Sequence, residues 1–356
     1  MIYGLILAGG KGSRLYPLSR AGEPKQFLKL INDKSFLVNT VDRITPIIDK
    51  NNIYVVTNMD YKKKVKDELI GIEESNIFVE PANKETATCI GLSAVKLLKQ
   101  DADAVMVVLP SDHYIQGEKI YTDTLSQAVE MANRRRCIVT LGIEPTRPET
   151  GYGYIEMGER TMGNIPTYRI ARFTEKPNLE VAKDFLLKGT YLWNSGMFIF
   201  RADVILREIE KYLPKLHKPL MEIYKSLGEE NEEEVIKEQY ELIDGISIDF
   251  GVMQKTRKAY VIKCDFGWDD MGSFGALSRL LGTYRNNNNI SKNVYIDECE
   301  NCSIFGDKNL IIGFGIKDLV VVDAGDVILV MDKNKDQEIK HLLNKLSEDK
   351  EYNRFL

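Results

Sequence analysis

Histidine and cysteine are scarce in this chain, and a basic excess is missing. Of 356 residues, three are histidine (His113, His217, His341) and five are cysteine. Three scattered histidines leave little material for a multi-histidine metal site or a histidine-centred hydrolase, so carboxylates become the expected chemical groups. Cys89, Cys137, Cys264, Cys299 and Cys302 are odd in number and widely spaced, which favours reduced thiols over a disulfide framework. Cys299 and Cys302 have metal-like spacing, but no second pair or nearby histidine accompanies them. The formal net charge of −5 offers no electrostatic footprint for nucleic acid, and no such partner is expected. No apolar run approaches the roughly 20 residues of a membrane span. Met1 leads into the strand-like stretch Ile2–Ala8 rather than a basic leader, so a cytoplasmic location without membrane association is expected.

What is present suits a globular α/β protein. Hydrophobic residues make up 44% and charged residues 28%, within the ordinary range for folded domains. In the first half, β-branched runs alternate with amphipathic stretches. The pattern predicts strands at Gly4–Ala8, Ile53–Thr57, Ile77–Glu80, Ala104–Leu109 and Cys137–Gly142, with helices at Phe36–Ile44, Tyr61–Leu69, Ala87–Leu98 and Tyr121–Asn133. This is a Rossmann-like mixed, mostly parallel sheet with helices on both faces. Shorter strands follow at Tyr168–Glu175, Gly196–Arg201 and Ala259–Lys263, around a charged helical insert at Val204–Tyr240. Beyond the turn Asn286–Asn289 the spacing predicts a β-rich tail closed by a helix at Lys335–Leu346. Residues 1–283 are expected to form one domain and 284–356 a small second one.

The chemistry begins where the first strand runs into Gly9-Gly10-Lys11-Gly12-Ser13-Arg14-Leu15, followed by Pro24-Lys25. Glycines let backbone amides approach a phosphate closely, and Arg14 and Lys25 supply countercharge. The same glycines also suit a plain tight turn; the spacing is neither that of a Walker loop nor of the dinucleotide fingerprint. Asp112 follows a buried strand, where open α/β sheets place ligands, and Phe266-Gly267-Trp268-Asp269-Asp270-Met271-Gly272 carries a second carboxylate pair. Mg²⁺ takes one or two carboxylates with phosphate oxygens and water, although each aspartate also suits a turn or helix cap. Glu175 and Lys176 set a carboxylate beside an ammonium, suited to hydroxyls and a phosphate respectively.

The string Leu7 to Leu15 with Pro24-Lys25-Gln26-Phe27 resembles the signature of the sugar-phosphate nucleotidyltransferase family. The resemblance runs from about Met1 to Thr283, with motifs in the family's order. It implies a nucleotidyltransferase (GT-A-like) fold in which Leu7, Ala8, Gly9, Gly10, Gly12, Ser13, Arg14, Lys25, Ser111 and Asp112 bind the nucleotide. Arg14, Lys25 and Lys176 would act in catalysis, and Asp112 and Asp270 would hold Mg²⁺, with the role of Asp269 open. Gly151-Tyr152-Gly153-Tyr154, Phe173 to Pro177 and Trp193-Asn194-Ser195-Gly196 look like the family's sugar pocket. Tyr152, Gly153, Glu175, Asn194, Ser195 and Asp249 would then line the hexose and Lys176 its phosphate, while the rings of Tyr152, Tyr154 and Trp193 equally suit a core.

Glu80-Pro81 with Thr86-Ala87, and Ser247 to Met253, resemble the family's mannose-1-phosphate guanylyltransferase branch. Glu80, Pro81, Thr86 and Ala87 would face the base, where a carboxylate can accept from guanine N1–H and the 2-amino group. Glu80 also suits a helix entry ahead of Pro81. The resemblance therefore implies GTP and mannose 1-phosphate as substrates and an in-line transfer expelling pyrophosphate. The tail beyond it looks like a short β-helix-like segment that would either build the contact of an expected homodimer or cap the catalytic sheet. Many relatives of that branch continue into an isomerase domain, which a chain of this length has no room for, so isomerase activity is not expected. Competing readings are another nucleotide and sugar pair, such as a heptose guanylyltransferase or a uridylyl- or thymidylyltransferase, and a silent nucleotide-sugar-binding subunit. A dinucleotide-binding dehydrogenase would require an acidic residue on a second strand about 20 positions past the glycines; Glu23 lies too close.

Overall fold

The computed structural model describes residues 1–10, 12–161, 165–306 and 308–356. These form two compact units, Met1–Gly9 with Thr40–Ser111 and Ile115–Trp268, and Gly10–Asn39 with Asp112–Tyr114 and Asp269–Leu356. The chain begins with β1 (Ile2–Leu7), α1 (Phe36–Ile44), β2 (Ile53–Asn58), α2 (Met59–Glu68), β3 (Ile77–Glu80), α3 (Glu85–Gln100) and β4 (Val105–Pro110). It continues through β5 (Tyr114–Ile115), α4 (Glu118–Arg135), β6 (Ile138–Ile143), β7 (Tyr154–Arg160), β8 (Thr167–Thr174), α5 (Leu179–Lys188) and β9 (Tyr191–Arg201). The insert is three helices, α6 (Ala202–Tyr212), α7 (Pro214–Ser226) and α8 (Glu232–Glu241), after which come β10 (Ala259–Cys264), β11 (Trp268–Asp269) and α9 (Phe274–Leu281).

The first unit is built on a nine-stranded sheet in the order β3-β2-β1-β4-β9-β6-β10-β8-β7, with β9 also pairing β7. Strands β1 to β4 run parallel, as do β6 and β10. The sheet is mixed because β9 is antiparallel to β4, β6 and β7, and β8 to β10 and β7. Alternate side chains of a strand face opposite sides. On β1, Tyr3 and Leu5 join a core with Ile90 and Leu97 of α3, Ile205 and Ile209 of α6, and Leu220 of α7. Gly4 faces the other way, and a Cβ there would lie 2.9 Å from Ile44 Cδ1 at the end of α1. Helices therefore cover both faces, as the alternation predicts. Burying each such Leu or Ile contributes about 1.5–3 kcal/mol.

The second unit contains β12 (Asn289–Ile290), β13 (Val294–Asp297), β14 (Ser303–Phe305), β15 (Ile311–Phe314), β16 (Leu319–Asp323), β17 (Ile328–Asp332) and α10 (Ile339–Glu348). Short strands stack in register, β12-β14-β16 and β13-β15 parallel, with β17 antiparallel on β16, giving a β-helix-like segment. Leu15, Phe274, Phe305, Val320, Val322 and Leu329 form its core. The asparagine turn is no mere solvent loop. Asn288 is 1% exposed and donates to the Cys299 carbonyl (2.9 Å), while Asn289 donates to that of Ser278 (3.1 Å). Among the described residues no helix is long and apolar enough to cross a membrane.

Candidate active site

In the second unit, the glycine loop is tied to Lys25 by close packing. Gly12 adopts φ +62°, and a Cβ there would meet Lys25 Cβ at 2.3 Å, so the turn requires glycine. Lys25 begins a 3₁₀ turn with its side chain 5% exposed. Its ammonium donates to Asp112 Oδ2 at 2.7 Å and to the Asp270 carbonyl oxygen. Burial opposes ionisation of Asp112, but the charges of Lys25 and His113 outweigh it and hold the carboxyl below its usual range. Arg14 stands 3.9 Å from Asp270 Oδ2. The Gly272 N–H binds Asp270 Oδ1 at 2.9 Å, and a Cβ on Gly272 would lie 2.5 Å from Asp270 Oδ2 and 3.0 Å from the Arg14 guanidinium. Gly10 is open, with nothing within 4 Å of a Cβ placed there, and Ser13 is half-buried beside Arg14. Lys11 lies outside the described residues.

Asp269 is engaged elsewhere. Its Oδ1 accepts the Met271 N–H at 2.9 Å and its Oδ2 receives Arg279 through Nε and Nη2 at 3.0 and 2.6 Å, which fixes the turn before α9. Asp112 and Asp270, by contrast, are near enough for the charge of Asp270 to oppose ionisation of Asp112. Two carboxylates fit a hard cation that completes its shell with phosphate and water. No group of three or more His, Cys, Asp or Glu suited to a metal occurs among the described residues.

In the first unit, the end of β1 is pinned on both sides. The Leu7 carbonyl accepts the Ser111 N–H (3.2 Å), the Ala8 N–H donates to Val56 O (2.8 Å), and the Thr57 hydroxyl donates to Ala8 O (3.1 Å). Beyond it, a Cβ on Gly9 would lie 3.9 Å from Glu80 Oε2. Glu80 closes β3, and its Oε1 accepts the Tyr240 hydroxyl at 2.9 Å. Burial pushes its carboxyl up to about 7, against the lowering hydrogen bonds of Tyr240 and Cys89. Pro81 is exposed. Thr86 Oγ1 accepts the Ile248 N–H (2.9 Å) and the Ala87 N–H donates to Ile246 O (3.1 Å), so both tie α3 to the segment bearing Asp249.

Around Asn194 the same unit gathers a second polar cluster. Asn194 Nδ2 donates to Asp249 Oδ1 at 2.9 Å, and its Oδ1 accepts the Thr140 hydroxyl at 3.3 Å and the Gly196 N–H at 3.2 Å. Burial, then the charge of Glu175, raises the Asp249 carboxyl to about 7. Glu175 Oε1 pairs with Lys176 Nζ at 3.2 Å, while Oε2 is buried with no hydrogen-bond partner. A Cβ on Gly153 would stand 2.5 Å from that oxygen. An orphaned buried carboxylate oxygen is an acceptor awaiting a donor such as a sugar hydroxyl. Lys176 sits at φ +46° with its side chain 61% exposed. Ser195 points away; it is buried and its hydroxyl donates to Leu141 O at 2.7 Å. The Tyr152 ring packs edge-on against Trp193 and Trp268 at 5.3 Å, and Tyr154 packs on Phe185. Two neighbours escaped the sequence reading, Tyr240 beside Glu80 and Thr140 beside Asn194, and neither carried a local signal.

Residues 3–287 match the nucleotidyl transferase family model, and the chain belongs to that family. Residues 291–346 match the MannoseP isomerase/GMP-like beta-helix domain. Along nearly its whole length the chain is similar to proteins described as mannose-1-phosphate guanylyltransferase. The one from Salmonella montevideo is 36% identical over 97% of this chain and 74% of the relative, and the one from Escherichia coli K12 is 35% identical over 98% and 74%. A solved Thermus thermophilus structure, described as a mannose-1-phosphate geranyltransferase, superposes with a TM-score of 0.88 at 32% identity, covering 97% of this chain and 99% of that one. A Helicobacter pylori structure described as a mannose-6-phosphate isomerase gives 0.62 at 28% identity, over 75% and 99%.

Proposed function

We infer that the chain transfers GMP from GTP to α-D-mannose 1-phosphate, releasing pyrophosphate and forming GDP-mannose. The observation that carries the reading is the buried Lys25 ammonium bound to Asp112 and Asp270 beside the glycine loop, a cluster suited to phosphate oxygens. The curated relatives named for this activity support the choice of substrates. A mannosyl phosphate oxygen attacks the α-phosphorus in line; the new P–O bond forms as the bond to the β-phosphate bridging oxygen breaks, and pyrophosphate leaves with that electron pair. No general base is needed, because a phosphate monoester with a second pKa of about 6 is largely dianionic at neutral pH.

The residues then work by positioning and charge. Amides of Gly9, Gly10, Gly12 and Ser13 receive the triphosphate, Arg14 and Lys25 offset its charge, and Lys176 takes the mannose phosphate. Glu80, held by Tyr240, accepts from guanine, with Pro81, Thr86 and Ala87 shaping that side. Gly153, Glu175, Asn194 and Asp249 accept the hexose hydroxyls, and Tyr152 walls the pocket. Asp112 and Asp270 would hold Mg²⁺, which when bound supplies countercharge to the phosphates. A cytoplasmic homodimer belongs to the same reading, supported by the exposed apolar Tyr295, Ile312 and Phe314 of the second unit. The test is pyrophosphate release with Mg²⁺, presenting GTP, ATP, UTP, CTP and dTTP against mannose 1-phosphate and glucose 1-phosphate. Release confined to GTP with mannose 1-phosphate is expected. Release with another pair overturns the choice of substrates, and none with any pair overturns the enzyme.

A further inference from the structure

Five cations converge on one cavity of the first unit, far from the residues discussed so far. The cavity, of about 380 Å³, is lined by Arg135 and Arg136 at the end of α4, Arg207 of α6, Arg257 and Lys258 before β10, and the Tyr260 ring. No carboxylate lines it. Asp203 pairs with both Arg136 and Arg207, and Glu208 stands 3.5 Å from Lys258, which steadies three of the cations while offsetting part of their charge. Among the described residues no carboxylate pairs with Arg135 or Arg257. The Arg135 guanidinium lies 5.7 Å from the Tyr260 ring centroid, which restrains it without neutralising it.

Basic residues at a helix end complement its dipole, and that accounts for Arg135 and Arg136. It does not account for Arg207, Arg257 and Lys258, which arrive from two other elements. In a chain of net charge −5 such a concentration of cations is a local feature. We propose that this cavity binds a small anion carrying two or more phosphate groups. Guanidinium forks match phosphate oxygens bidentately, and the volume falls within the range of small-molecule pockets.

The cavity opens where β6 and β10 begin. Asn194 of the sugar cluster pairs with Gly142 near the end of β6, five residues further along. At about 3.3 Å per residue the two sites are roughly 17 Å apart along the strand, so the anion does not touch the sugar cluster. All five cations are exposed, and their substitution leaves the core intact.

The experiment titrates inorganic pyrophosphate, without divalent cation, and follows amide hydrogen exchange by peptide. The expected result is slowed exchange in peptides spanning 134–137 and 256–260, lost in the double variant Arg135→Ser/Arg257→Ser and largely kept in Arg257→Lys. The double variant should release pyrophosphate from GTP and mannose 1-phosphate within about twofold of the parent rate. Slowing confined to the glycine loop, slowing that persists in the double variant, or protection by an oligonucleotide but not by pyrophosphate would each overturn the proposal.

Discussion

The two units treat the acidic side chains of the candidate site in opposite ways. In the second, Asp112 and Asp270 lie beside Lys25 and Arg14, and Asp112 is held below its usual range. In the first, Glu80 and Asp249 are desolvated among hydroxyls, amides and another carboxylate, and both are raised to about 7. The difference teaches a division of labour. Paired charges suit the handling of phosphate, where electrostatics dominate, whereas desolvated carboxyls suit discrimination, because an unmet hydrogen bond costs most where water is excluded.

The hardest blow to the charged unit is Lys25→Ala or Asp270→Ala. Each should lower kcat by about a hundredfold or more, the scale for a single electrostatic group, read by steady-state pyrophosphate release. A near-normal kcat would break the comparison. Glu80→Gln, which replaces two acceptor oxygens by one, should cut the preference for GTP over ATP by about 10- to 100-fold in kcat/KM while leaving kcat largely intact. Gly153→Ala drives a methyl against Glu175 Oε2 and should raise the KM for mannose 1-phosphate by about tenfold, with a smaller effect on the KM for GTP.

The pH dependence sharpens the contrast. A carboxyl raised in the fold gives a stability contribution that is fully present below its unfolded value, about 4, and is lost as pH rises through about 7. Between pH 5 and pH 8 the parent should therefore lose on the order of 5 kcal/mol, about half from each carboxyl, relative to Glu80→Gln/Asp249→Asn, measured by urea unfolding. The smallest effect is expected from Arg279→Ala. Its partly exposed pair with Asp269 is worth about 1 kcal/mol or less, and kcat should hardly change.

The sequence made the local features legible and the distant partnerships illegible. Helix α1 and strand β3 form over the predicted residues, because their apolar spacing and flanking turns are local signals. Strand β7 was missed: only its first two residues are buried, so no alternation marks the rest. Helix α5 was missed although its ends are signalled, with Asn178 capping the Val181 N–H and Gly189 in the left-handed region. Glycine loop, aspartates and sugar motifs could all be named from short strings. The hydroxyl that steadies Glu80 belongs to Tyr240, 160 residues away, and Asp269 proves committed to Arg279. Neither pairing leaves a periodic trace; both exist only once helices and turns have packed.

The central claim, nucleotidyl transfer from GTP to mannose 1-phosphate, is met most directly by following label. GTP labelled at the α-phosphate should pass its label into GDP-mannose, while label at the γ-phosphate should appear only in pyrophosphate. Label from the γ-position appearing in free phosphate or on the sugar, with no α-label in a nucleotide sugar, would contradict the account.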